Sequence, residues 1–234
     1  MTTFALAHGA FHGAWCWELL TPLLQRAGHD VIAIDLPFDD GAASFDDCAD
    51  VVCAALRERG DDVVLVGHSF AGAVIPLVAA RRALRHLVYV CAVIPQLGQS
   101  MNDQLVSEPG MILPRIYAGV GELDAQGRIP VIDLELAREV FYADCDESVA
   151  SAAAARLTPQ SALPSSLCFP LSEFPSVPTT YVVCSDDQVV GPEWSRRVAR
   201  DRLKADLVEL PGSHSPFYSR PAVLADVLLG LAGR

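Results

Sequence analysis

Four β-favouring residues, Val63-Val64-Leu65-Val66, run straight into Gly67-His68-Ser69-Phe70-Ala71-Gly72. A strand that turns at once into a helix holds its apex residue near positive φ and brings the two backbones together. The positions two before and two after Ser69 must therefore be small. Gly67 and Ala71 meet that demand; alanine stands where glycine is usual, adding one methyl group, with Gly72 beside it. The run from Gly72 to Arg82 then reads as a helix. A serine presented on such a strand-turn-helix is a nucleophile elbow, and it points to acyl transfer at Ser69. A chance Gly-x-Ser-x-small string in a loop would lack the flanking strand and helix.

The 234 residues, 51% of them hydrophobic, suit one sizeable α/β domain. The net charge is −12 and the 17 basic residues are scattered, which argues against nucleic acid and, more weakly, against a polyanionic substrate. No apolar run approaches the roughly 18 residues of a membrane span, and the opening Met1-Thr2-Thr3-Phe4 has no basic stretch of the kind that starts a signal peptide. Seven cysteines, without a Cys-x-x-Cys pair, read as small core residues in a reducing compartment, so the expected residence is cytoplasmic. A homodimer stays open.

Short apolar runs at Phe4 to Ala7, Val31 to Asp35, Val63 to Val66, Leu87 to Val90, Thr180 to Cys184 and Asp206 to Leu210 read as buried parallel strands. Between the first three lie amphipathic stretches, from about Trp15 to Ala27 and from about Phe45 to Arg59. Each is closed by a glycine, and Ser44 with Asp47 resembles a capping box. Strand-helix alternation implies a doubly wound, mainly parallel sheet of about six strands, with functional residues at the strands' carboxyl ends. The regularity fails between Pro95 and Pro178. There the sequence offers helices around Leu134 to Ala143 and Glu147 to Leu157, followed by a Pro-rich return. We expect a core of residues 1–95 and 178–234, with 96–177 inserted as a helical cap over the site, all in a single domain.

A serine hydroxyl needs a base within hydrogen-bond reach and a carboxylate to orient that base. On a sheet bearing a nucleophile elbow the chain order is Ser, acid, His. Of the six histidines only His214 follows a candidate acid and a terminal strand, within the turn Pro211-Gly212-Ser213. The acid is one of two neighbours, Asp186 or Asp187, and Asp187 stands deeper in the loop. Two backbone donors for the oxyanion are expected at Phe70, after the nucleophile, and at Ala10, in His8-Gly9-Ala10-Phe11-His12-Gly13. Phe11, Trp15, Phe141 and Tyr142 are candidate substrate-binding walls, although core packing would account for them equally. His8 and His12 have no acidic ligand at metal-binding spacing, so no metal and no other cofactor is expected.

Taken together, His8-Gly9-Ala10-Phe11-His12-Gly13-Ala14-Trp15, Gly67-His68-Ser69-Phe70 and Gly212-Ser213-His214 resemble the α/β-hydrolase superfamily. The branch most similar holds plant methylesterases, hydroxynitrile lyases and many bacterial esterases. In it the acid stands a few residues before a Pro-Glu-aromatic signature; Pro192-Glu193-Trp194 in that place implies Asp187. Hydroxynitrile lyases carry a lysine after the histidine and a threonine in the oxyanion loop, where this chain has Ser215 and Gly9. The resemblance implies a serine hydrolase cleaving a small, largely apolar carboxylic ester. The alternatives are lactone, amide or C–C bond hydrolysis, a lyase on the same triad, or a receptor that senses a small molecule.

Overall fold

A computed structural model describes residues 1–233. The main sheet has six parallel strands in the order β2-β1-β3-β4-β7-β8. They are β1 (Thr3–Ala7), β2 (Asp30–Ile34), β3 (Val63–His68), β4 (His86–Val90), β7 (Thr179–Cys184) and β8 (Asp206–Leu210). Every residue of β1, β3 and β4 is buried, which is why these strands read as unbroken apolar runs, with no period-2 alternation. The strand order reverses direction at the β1/β3 boundary, and open α/β sheets bind ligands in the crevice beyond such a reversal. Ala7 pairs with Gly67, so the loops leaving β1 and β3 emerge side by side at that point.

Two of the expected helices are broken, both at proline. The stretch from Trp15 to Ala27 is a 3₁₀ turn (Ala14–Trp17) followed by α1 (Thr21–Arg26). Pro22 has no N–H to continue an earlier helix, and its fixed φ suits the first turn of a new one. The run after the elbow divides in the same way, into a 3₁₀ turn (Ser69–Ala73) and α3 (Ile75–Ala79), with Pro76 in the first turn. Between them, α2 (Phe45–Ala55) carries the expected capping box: Ser44 Oγ accepts from the Asp47 N–H, and Asp47 accepts from the Ser44 N–H at 2.8 Å. It ends four residues short of Arg59, in two tight turns.

The stretch from 96 to 177 adds no strand to the main sheet. It holds α4 (Met101–Ser107), a 3₁₀ turn (Pro114–Gly119), α5 (Leu134–Phe141), α6 (Glu147–Ala154) and α7 (Leu163–Ser166). It also contains a two-residue antiparallel pair, β5 (Arg128–Ile129) with β6 (Gln160–Ser161), too short to show any alternation in sequence. The chain closes with α8 (Pro192–Val198), α9 (Pro216–Ser219) and α10 (Pro221–Ala232), whose leucines Leu224, Leu228 and Leu231 join the core.

Candidate active site

Ser69 sits where β3 ends, with φ +51, the left-handed conformation that the sharp turn demands. Its carbonyl accepts from the Val93 N–H at 3.0 Å, which ties the elbow to the loop after β4. The closeness of the backbones fixes the small residues. A Cβ on Gly67 would lie 2.7 Å from Ile75, and one on Gly72 would collide with the Val93 carbonyl. Ala71 is fully buried and its methyl group is accommodated.

His214 and Asp187 are buried together. The His214 Nδ1–H donates to Asp187 Oδ2 at 2.8 Å and is 3.0 Å from Oδ1. Asp187 Oδ1 also accepts from the N–H groups of Val189 and Val190, at 2.7 and 3.0 Å, so the carboxylate cannot swing away from the ring. Asp186 turns the other way: it is exposed, and it accepts from the Gly212 N–H at 3.1 Å, bracing the loop that carries His214. With Nδ1 protonated toward Asp187, Nε2 keeps its lone pair, and among the described residues it has no hydrogen-bond partner. His68 holds the backbone of the same loop, its Nε2–H donating to the His214 carbonyl at 3.0 Å. Burial, then the neighbouring His214, pushes the His68 pKa well down, so this ring is a neutral donor.

The loop after β1 lies directly against the elbow, since a Cβ on Gly9 would come within 2.7 Å of Ser69 Cβ. Its direction is fixed by His8. The Nδ1–H of His8 donates to the Gly9 carbonyl at 2.9 Å, while Nε2 accepts from the Leu36 N–H at 2.9 Å. In a trans peptide the carbonyl and the next N–H point to opposite sides, so holding the Gly9 carbonyl also aims the Ala10 N–H. Ala10, Ser69 and Phe70 line one cavity of about 250 Å³. Phe11 and Phe141 share its wall, and the ring of Phe141 also lies 5.9 Å from that of His214.

Trp15 and Tyr142 do not line this cavity. Trp15 stacks on His12, with ring centroids 5.5 Å apart, and carries the Arg156 guanidinium 4.3 Å from its ring centre. The Tyr142 hydroxyl bonds to His12. Both aromatics pack away from this cavity, Tyr142 buried against His12 and Trp15 half-buried between His12 and Arg156. The remaining lining comes largely from residues that no motif marks, among them Val93, Met101, Leu105, Ile112, Ile116 and Gln160. A modest signal was present, in that several are large apolar residues between Pro95 and Pro178, where no sheet exists to bury them.

Cys91, Asp187 and His214 bring possible metal-binding atoms within 4.8 Å of one another. That set suits a cation poorly. Asp187 is already committed to the His214 proton, and burial raises the Cys91 thiol pKa well above its ordinary value, which disfavours the thiolate that a metal needs. Among the described residues no helix is long and apolar enough to cross a membrane.

Methylesterase 2 of Arabidopsis thaliana is 27% identical over 253 residues, covering 98% of this chain and 95% of that protein. The pyrethroid hydrolase of Sphingobium wenxiniae is 29% identical over 247 residues, covering 99% and 88%. The crystal structure of a pyrethroid hydrolase from Sphingobium faniae superimposes with a TM-score of 0.86 at 25% identity, over 99% of this chain and 97% of that one. Residues 4–227 match the model of the alpha/beta hydrolase family, and the chain belongs to that family.

Proposed function

We propose that the protein is a cofactor-independent carboxylic ester hydrolase that cleaves a small, largely apolar ester through an acyl-serine intermediate. The observation that carries this reading is the buried His214–Asp187 pair, with Nε2 unengaged, at the same strand ends as a serine opening on a mostly apolar cavity. Residues 96–177 act as the cap that closes this cavity. His214 Nε2 takes the Ser69 proton as Oγ attacks the ester carbonyl, and Asp187 stabilises the imidazolium that forms. The oxyanion is received by the N–H groups of Ala10 and Phe70. His214 then returns the proton to the departing alcohol. In the second half, His214 activates a water that releases the acid and frees Ser69.

A cavity of about 250 Å³ with few polar groups favours short acyl and alkoxy groups over charged ones. Esterase relatives, among them a methylesterase and a pyrethroid hydrolase, support the same reaction class. The seven cysteines are all unpaired, which suits a reducing compartment such as the cytoplasm. The test is hydrolysis of p-nitrophenyl and methyl esters of graded acyl length by the wild type and by Ser69→Ala. Turnover that needs Ser69 and peaks at short chains is expected. A folded wild type inert on every ester overturns the reading and moves weight to a lyase, a C–C hydrolase or a receptor.

A further inference from the structure

His12 is buried, and the reaction above gives it no role. Its Nδ1 lies 2.8 Å from the Ala10 carbonyl, which can only accept, so Nδ1 carries the proton. Its Nε2 therefore accepts from the Tyr142 hydroxyl, at 2.7 Å. Burial pushes the His12 pKa down to about 3, and the ring is neutral over the working range of a hydrolase. The next carbonyl is held as well: Phe11 O accepts from the Thr158 N–H at 2.9 Å. Phe11 has φ +64, a left-handed conformation that strains a non-glycine residue and persists only when its surroundings enforce it.

These partners differ in origin. His8, which holds the Gly9 carbonyl, is itself held by Leu36, just beyond β2 of the main sheet. The bonds on the Ala10 and Phe11 carbonyls instead lead to the inserted stretch, since Tyr142 ends α5 and Thr158 follows α6. Three successive carbonyls of the loop are thus held, the first through a histidine anchored beside the sheet and the next two through bonds that lead to the insertion. Each held carbonyl fixes its peptide plane, and the loop's strained turn is fixed with them.

We propose that His12 and Tyr142 are positioning residues, a hydrogen-bonded strut by which the insertion holds the Ala10 carbonyl, so that Ala10, whose N–H is the oxyanion donor aimed by His8 through the Gly9 carbonyl, is clamped on its C-terminal side as well. The proposal rests on the ester-hydrolase reading. It adds that the insertion contributes to the rate of the chemical step as well as to the choice of substrate. Neither side chain touches substrate; the strut acts through the loop.

Tyr142→Phe removes the hydroxyl and keeps the ring. Loss of a whole oxyanion donor costs about 10²–10³ in kcat, and misalignment of one should cost a fraction of that. We expect kcat on a short p-nitrophenyl ester to fall about tenfold with KM within about twofold, and the inhibition constant of phenylboronic acid, which mimics the tetrahedral intermediate, to rise by a similar factor. His12→Gln, whose amide can both donate and accept, should retain more kcat than His12→Ala. A kcat unchanged within about twofold, or a change confined to KM, overturns the strut.

A second measurement needs no turnover. ¹⁵N NMR of the histidine rings should show His12 neutral from pH 5 to 8 with its proton on Nδ1, and its Nε2 resonance should shift in Tyr142→Phe. A proton on Nε2 would also overturn the proposal. If the wild type hydrolyses no ester while the NMR signature is present, the reaction class fails and the bond network stands.

Discussion

Ser69, His214 and Asp187 all follow the carboxyl ends of strands in the six-stranded sheet, and all three side chains are buried. Met101, Ile116, Phe141 and Gln160 reach the cavity that Ser69 lines from short helices, a 3₁₀ turn and a two-residue strand pair. In the first region the backbone is fixed by a continuous ladder, so a side chain at a strand end inherits a position that loops can vary without disturbing. In the second, the wall is assembled from short pieces that share no ladder with the main sheet. On the proposed reading, chemistry is placed where the fold is rigid, and selection where the chain can be changed cheaply.

The largest expected effects lie on the sheet side. Ser69→Ala should lower kcat/KM for any ester by about 10⁴–10⁶ while leaving thermal unfolding within about 2 °C of wild type. Asp187→Asn should cost about 10⁴, because an amide would favour the wrong tautomer of His214. Asp186→Asn, which touches only the loop, should cost less than about tenfold. Parallel kinetics on the three variants would break the comparison if Asp186 proved the more costly aspartate.

Stability separates the regions again. Leu65 is fully buried in β3, and Leu65→Ala should destabilise the fold by about 3 kcal/mol, through lost burial plus the cavity left behind. Val106 in α4 is 85% exposed, and Val106→Ala should stay within about 0.5 kcal/mol. Urea unfolding followed by circular dichroism measures both. Below the Leu65 effect comes that of Ile116→Ala on specificity. By opening the cavity wall it should raise kcat/KM for an ester one or two methylenes longer by about tenfold relative to the short ester. An unchanged chain-length profile would take Ile116 out of the wall.

The same contrast governs what could be read from the sequence. The central strands are legible because burial on both faces leaves an unbroken apolar run, as in Val63 to Val66, whereas the edge strands β2 and β8, expected to be buried, are respectively half-buried and largely exposed. The elbow is legible because Gly67 and Gly72 answer a steric demand that any such turn makes. Pro22 and Pro76 were visible, yet the 3₁₀ turns before them were not, since a turn of four or five residues carries too few positions for a period. Alternation could say that only one of Asp186 and Asp187 faces His214, and the loop's path decides which. The cavity residues between Pro95 and Pro178 left only a weak trace, large apolar side chains with no strand pattern to bury them. Met101 and Gln160 stand 59 positions apart and meet only because the insertion folds back on itself. Trp15 and Tyr142 show the converse: aromatics next to strong motifs that turn out to pack away from the cavity.

Asp144 joins the two regions and carries the smallest prediction. It lies between α5 and α6, two residues after Tyr142, and accepts from the Ser213 hydroxyl and the Arg220 guanidinium on the loop beside His214. Burial pushes its carboxyl pKa up, but the hydrogen bonds from Ser213 and Arg220 outweigh that, and the net shift is downward. A carboxyl depressed in the folded state stabilises the fold above its ordinary value of about 4, and the contribution is lost as pH falls through the depressed value. Unfolding midpoints measured from pH 7 down to pH 3 should therefore drop less steeply below pH 4 in Asp144→Asn than in wild type. The pair is partly exposed, so the difference should shrink as salt is added. Identical slopes would mean that the insertion reaches the catalytic loops through the Tyr142 strut and the Thr158 bond, and that Asp144 is only a neighbour to both.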